Sequence, residues 1–197
     1  HLGKITDSLT RALCWSAAWD MLRDAEISAT DFIEIALNGL AGETDDAIVN
    51  IVLAQLGTSV EAYAKDANRD AYREKLAAGL WALTQSSAPG SDLQLLISRA
   101  FAVNAQTADQ TAKIRELLNG SAPGLKVDAD LRWYFLIALT ERGAATKAEL
   151  DAELAQDNTT TGNLAYETCL AAMPNNEAKA YAFNKVLNED VVTSVRT

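Results

Sequence analysis

Nowhere in this chain does hydrophobicity alternate with the period of two that a half-buried strand requires. Apolar residues instead recur at i, i+3, i+4 and i+7, behind one oxygen-bearing capping residue after another. That pattern leaves helices as the main regular element. Ser28-Ala-Thr-Asp31 starts one helix, and Ser91-Asp-Leu-Gln94, Thr107-Ala-Asp-Gln110 and Thr146-Lys-Ala-Glu149 have the capping-box spacing, in which each end supplies an acceptor for the other's amide. Helix starts fall roughly 15–20 residues apart, and about ten or eleven helices joined by short turns result. We expect an all-α fold, an irregular α-solenoid of stacked antiparallel helix pairs of the HEAT or armadillo kind. It reads as a single helical-repeat domain over 1–197, with internal breaks near 86–91 (from Ser-Ser-Ala-Pro-Gly) and 119–124 (Asn-Gly-Ser-Ala-Pro-Gly).

The strongest element is the helix from Asp128 to Gly143. Leu131, Tyr134, Phe135, Ala138 and Leu139 form one face, while Trp133, Leu136 and Ile137 fill much of the other. A helix apolar on most of its circumference is packed on several sides. Asp128 or Asp130 supplies its N-terminal acceptor, and Gly143 ends it. Near the start, Leu9, Ala12, Trp15, Trp19 and Leu22 line the expected buried face of a helix over Asp7–Glu26. Arg11, Trp15, Trp19 and Arg23 step by four, a spacing that lets guanidinium groups lie over indole faces. Gly57 is expected to close a third helix opened at Thr44–Asp46 and carrying Ile48, Ile51, Val52 and Leu56. Gly79 marks a close helix crossing. Leu164, Ala165, Thr168, Cys169 and Ala172 give a later helix a small-residue face, Pro174 stops it, and Asn175 or Asn176 opens a last helix with Tyr181, Phe183, Val186 and Leu187.

Charge and composition narrow the function classes. Acidic residues outnumber basic ones 27 to 17, a net charge of −10, with no basic run, so no nucleic-acid partner is expected. No stretch of about 18 apolar residues would span a membrane, and no membrane partner is expected. Cys14 and Cys169 form no CxxC pair and read as small buried side chains in a reducing, cytoplasmic compartment. The one histidine stands at position 1, so the chain supplies neither a histidine-based zinc site nor a Ser-His-Asp triad. HExxH and both glycine-rich phosphate motifs are absent. Asp45/Asp46 and Glu149/Glu153 read as capping or solvated carboxylates, not an acid–base pair. We expect no catalytic residue, no metal ligand and no cofactor in this chain.

Two stretches carry a resemblance. Arg11-Ala-Leu-Cys-Trp-Ser-Ala-Ala-Trp-Asp-Met-Leu-Arg-Asp24 resembles the RALxWxxxWDMxRD helix in the C-terminal domain of the zinc-dependent, actinobacterial-type aminopeptidase N family. Asp128-Ala-Asp-Leu-Arg-Trp133, Gly143, the helix over 148–154, Asp157, Gly162, Pro174, Lys179 and Ala182-Phe183 resemble the same domain further on, so the likeness runs from about Asp7 to Asp190. The family's metal-binding HExxH helix and its substrate-amine motif are not in this sequence. The resemblance therefore implies the helical C-terminal domain of a peptidase that removes N-terminal residues from peptides. It implies zinc in the parent enzyme, the parent's own catalytic domain as partner, and a chamber wall contacting the distal part of a peptide substrate. The family's domain continues past this chain's last residue, so a fragment truncated at its C-terminal end is expected. A peptide carboxylate calls for a bidentate donor, and Arg11, Arg23 and Arg132 are the substrate-contact candidates, although the sequence favours a helix-to-helix salt bridge for each. The alternative is a free-standing helical-repeat scaffold that binds a protein partner.

Overall fold

A computed structural model describes residues 2–187. Among these residues it contains ten α-helices and no strand: α1 (Ser8–Arg23), α2 (Ala29–Leu40), α3 (Asp46–Tyr63), α4 (Asp66–Ser86), α5 (Asp92–Asn104), α6 (Ala108–Leu118), α7 (Ala129–Glu141), α8 (Lys147–Gln156), α9 (Thr160–Ala172) and α10 (Asn176–Leu187). A 3₁₀ turn at Leu2–Lys4 precedes them. The all-α fold class read from the sequence is the one observed. No helix among the described residues is long and apolar enough to cross a membrane. The expectation of a truncated C-terminal end concerns residues outside the described ones.

The chain divides into two compact units. The first runs to Gln110 and takes in Ala122–Leu125; the second comprises Thr111–Ser121 and the residues from Lys126 onward. The expected break at 119–124 falls on the segment divided between them, and the one at 86–91 lies inside the first unit. In the first unit α1 packs on α2 and α3, α2 on α3 and α4, and α3 and α4 on α5. α1, α2 and α3 thus each touch their next and next-but-one neighbours, the contact pattern of stacked helix pairs. Phe32, Ile33, Leu40, Leu56, Leu76, Leu80, Ile97 and Phe101 are fully buried there. Side chains of this size contribute about 1.5–3 kcal/mol each on leaving water. In the second unit α9 packs on α7, α8 and α10, and Ile114, Leu117, Leu131 and Phe135 are fully buried.

Local capping places most helix starts where the sequence puts them. Asp7, Ser28, Asp45, Ser91, Asp128, Thr146 and Thr159 each accept a hydrogen bond from a first-turn amide, and Ser28–Asp31 and Thr146–Glu149 close as reciprocal boxes. Asn175 does the same for α10 through the Ala178 amide. Gln94 departs from the expected box. Its Oε1 accepts from the Gly90 amide at 2.8 Å, and its Nε2 donates to the carbonyls of Thr84 and Pro123. The side chain therefore fastens the Ala122–Leu125 segment to the start of α5.

Several faces differ from expectation. The buried side of α1 is Arg11, Trp15, Ala18 and Leu22; Leu9 lies outside it, 68% exposed, and Leu13 is 63% exposed. The helix is apolar on two sides, and a carboxylate waiting in the core (described below) decides which turns inward. Gly57 does not end α3. The helix continues to Tyr63, because burying Ser59 and Val60 outweighs the ~1 kcal/mol that a helical glycine costs. In α9, Gly162 and Cys169 face inward while Leu164 and Thr168 are exposed. Residue 162 has to approach the Asp157 backbone too closely for any Cβ, and that contact sets the rotation of the helix. Cys169 is buried as expected, but Cys14 is only half-buried.

Two close approaches set helix spacing and turn geometry. Gly79 of α4 lies directly under Leu37 of α2, the close crossing expected there. Gly124, at φ +76°, lies against the Pro89–Gly90 turn so tightly that a Cβ would sit 2.6 Å from the Gly90 nitrogen and the Pro89 carbonyl carbon. At the end of α7, Gly143 (φ +67°) closes a Schellman turn: its own amide bonds the Thr140 carbonyl and the Ala144 amide bonds Leu139. The same turn ends α1, but there Ala25 occupies the left-handed position at φ 61°. Ala25→Gly should therefore raise unfolding free energy by about 1 kcal/mol. Gly124→Ala, which meets backbone and an unfavourable φ together, should lower it by more than about 2 kcal/mol. Urea titrations followed by circular dichroism check both, and an unaltered midpoint for either would contradict this account.

Candidate functional site

The three candidate arginines come from different surroundings, and the structure does not bring them into one cluster. Arg11 projects from the inner face of α1 and is buried. Its Nε and Nη2 donate to the Glu43 carboxylate at 2.9–3.2 Å, Nη2 also reaches Thr44 Oγ1, and Nη1 donates to the carbonyls of Ile5 and Thr6. An arginine has five N–H donors. These acceptors take all five.

Glu43 is correspondingly saturated. Besides Arg11 it accepts from the Trp15 indole at 3.1 Å and from the backbone amides of Thr44 and Asp45 at 2.8 and 3.2 Å. Only 1% of its side chain is exposed. Burial opposes ionisation, but the bonds from Arg11, the Thr44 amide, Trp15 and the Asp45 amide outweigh it and hold the carboxyl at about 2. The group ties α1 to the turn that enters α3. Trp19, one turn beyond Trp15, packs edge-on against Phe32 and Tyr63 at ring-centre distances of 5.5 and 5.6 Å.

Arg132, on the first turn of α7, makes a side-on bidentate pair with Glu153 of α8: Nε to Oε1 at 2.7 Å and Nη2 to Oε2 at 2.6 Å. Glu153 is buried, which corrects the expectation of a solvated carboxylate; α8 carries its charge inward because Arg132 meets it there. Glu149 behaves as expected of a capping residue, with its carboxyl lowered first by the Thr146 amide, and it also pairs with Arg115. The neighbouring Trp133 donates its indole N–H to Asp157 at 2.9 Å. Asp157 in turn accepts from Thr159 and crowds Gly162, so one tryptophan positions the whole α8–α9 turn. These partners were not legible in sequence, since nothing local pairs residue 132 with 153 or 133 with 157.

Arg23 is different. It lies on the last turn of α1 with its side chain 55% exposed, and its ion pair with Asp20, at 3.3 Å, is equally open to water. Such an i,i+3 pair contributes about 0.3–0.5 kcal/mol, and solvent or a ligand exchanges with it readily. Among the described residues no group of three or more His, Cys, Asp or Glu has the arrangement to hold a metal ion. Cys169 is a poor ligand or nucleophile, because burial pushes its thiol up to about 11.

Glu43 gives the first unit a specific acid sensitivity. Its folded value near 2 lies below the ordinary 4.5, so the stability it contributes is complete above pH 4.5 and is lost as pH falls toward 2. The loss should amount to about 3 kcal/mol. Glu43→Gln should remove that pH dependence and, by leaving the Arg11 charge uncompensated, should lower stability at pH 7 by about 3 kcal/mol. Denaturant titrations at pH 7, 4 and 3 would refute this if both proteins followed the same profile.

Comparison with known proteins adds two findings. The family model described as the ERAP1-like C-terminal domain matches residues 1–196. Aminopeptidase N of Streptomyces lividans is 38% identical over 192 residues, which cover 96% of this chain and 22% of that protein. The chain thus spans about a fifth of the length of the curated relative it matches.

Proposed function

Because this chain belongs to the family of ERAP1-like C-terminal domains, we propose that it is the non-catalytic C-terminal domain of a zinc metalloaminopeptidase that removes N-terminal residues from peptides. The observation that carries this reading is the 38% identity to an aminopeptidase N across 96% of the chain. The residues present do not fit a zinc site, for want of any donor cluster among those described. The metal and the hydrolytic groups therefore belong to the remainder of the parent polypeptide, which is this domain's partner. Packed helices, with few loops to rearrange, suit a wall that limits the length of peptide admitted. A cytoplasmic, reducing setting is supported by the two unpaired cysteines.

Within that role we assign contact with the distal end of the peptide to Arg23. Arg11 has no donor left to offer and Arg132 is engaged by Glu153, whereas the Arg23 guanidinium is open and weakly held. A peptide carboxylate replacing Asp20 would gain a charge-assisted, bidentate pair.

The complete polypeptide should hydrolyse an aminoacyl-4-nitroanilide, lose that activity to a chelator and regain it with zinc, while residues 1–197 alone do nothing. A parent polypeptide without HExxH and without such activity would sink the reading in favour of a free-standing scaffold. In the active parent, Arg23→Ala should raise KM for peptides with a free C-terminal carboxylate about fivefold. It should leave the anilide and C-terminally amidated peptides unchanged. Equal kinetics on free and amidated peptides in both proteins would remove Arg23 from the contact.

A further inference from the structure

Among the described residues, the side of α1 opposite Arg11 and Trp15 is open to solvent. Leu9 and Leu13 stand on successive turns there, 68% and 63% exposed, with Ala17 and Met21 continuing the row at steps of four. A free helix surface normally spends such positions on charged side chains. Its neighbours α2 and α3 are occupied with the inner face, which the Glu43 clamp fixes. Among the other described residues of the first unit, exposed large apolar ones such as Ile51 and Val103 do not recur on successive turns of one flank. The comparable stripe on α10 borders residues 188–197, outside the described part.

We infer that the Leu9–Leu13 flank of α1 is the seat on which the rest of the parent polypeptide packs. This rests on the reading of the chain as one domain of an aminopeptidase. The area of the patch selects the occupant. One row of four side chains falls short of the ~800 Å² per partner that a stable complex of free proteins buries, so a separate protein or a second copy would be held poorly. A domain in the same polypeptide needs far less surface, because the covalent link supplies an effective concentration in the millimolar range. The relative's length matches: 78% of it lies outside the stretch this chain covers, since the covered share is 22%. A covalently joined domain seated on the Leu9–Leu13 end of α1 would bury the apolar part of this flank and leave Asp20 and Arg23, nearer the other end of the helix, open to water.

Hydroxyl-radical footprinting of the complete polypeptide, read by mass spectrometry at single residues, tests this directly. Each rate is normalised to that of the same polypeptide in denaturant. Leu9 and Leu13 should be protected at least fivefold, to the level of the buried Leu22. Modification within twofold of the denatured rate would overturn the inference. Protection that disappears on tenfold dilution would also overturn it, since it would mark self-association. The samples are assayed in parallel on the aminoacyl-4-nitroanilide. Active enzyme with unprotected leucines refutes the packing seat alone; protected leucines without chelator-sensitive activity leave the seat standing and refute the peptidase reading.

Discussion

Glu43 sits where a carboxylate is least welcome, inside the first unit and almost wholly out of water, and much of the surrounding architecture follows from keeping it charged. Five donors converge on it: two guanidinium nitrogens, one indole and two backbone amides. Arg11, the counter-charge, spends its remaining donors on Ile5, Thr6 and Thr44. The segment before α1, the inner face of α1 and the entrance to α3 are thereby held by a single ion pair. Replacing such a pair with well-packed apolar residues is often neutral or better, but removing one member is severe, about 3–5 kcal/mol. The clamp is therefore less a source of net stability than a determinant of which face of α1 points inward.

The second unit solves a similar problem with separate pieces. Arg132 neutralises the buried Glu153, and Trp133, the next residue, reaches Asp157 with its indole N–H. Asp157 then leaves room only for glycine at 162, and Gly143, ending α7, faces Pro174 at van der Waals distance for a Cβ. The positions that carry the family resemblance thus include Arg11, Trp15, Asp128, Arg132, Trp133, Gly143, Asp157, Gly162 and Pro174. Most of them are caps, clamps or close contacts. They are positions on which the packing of this domain depends.

How far sequence reaches into such a fold depends on whether the cause is local. Capping is local: an oxygen at residue 28 or 146 meets an amide three residues on, so the helix starts were legible from spacing alone. The burial face of α1 was not, because Leu9/Ala12/Trp15/Trp19 and Arg11/Trp15/Ala18/Leu22 are both acceptable apolar stripes until a carboxylate 32 residues away chooses between them. Gly57 misled for the same reason, its modest helical cost being overruled by tertiary burial of Val60. Glu153 looked like a solvent-facing residue of a short polar helix, and only Arg132, on another helix, explains why it is not.

Donor accounting separates the arginines more sharply than exposure does. A guanidinium that recognises a peptide carboxylate needs two adjacent N–H groups aimed at one place. Arg11 has every donor committed to acceptors whose own desolvation depends on it, so freeing two of them would strand Glu43 as an unpaired buried charge. Arg132 has its side edge committed to a Glu153 that is 5% exposed, and release would strand that carboxylate in the same way. Arg23 can exchange Asp20 for a ligand without burying or orphaning anything, because both partners are more than half exposed before and after. The peptide contact proposed for this domain, which would form and break once per turnover, calls for an arginine of this last kind, since releasing either of the other two would leave a buried carboxylate unpaired.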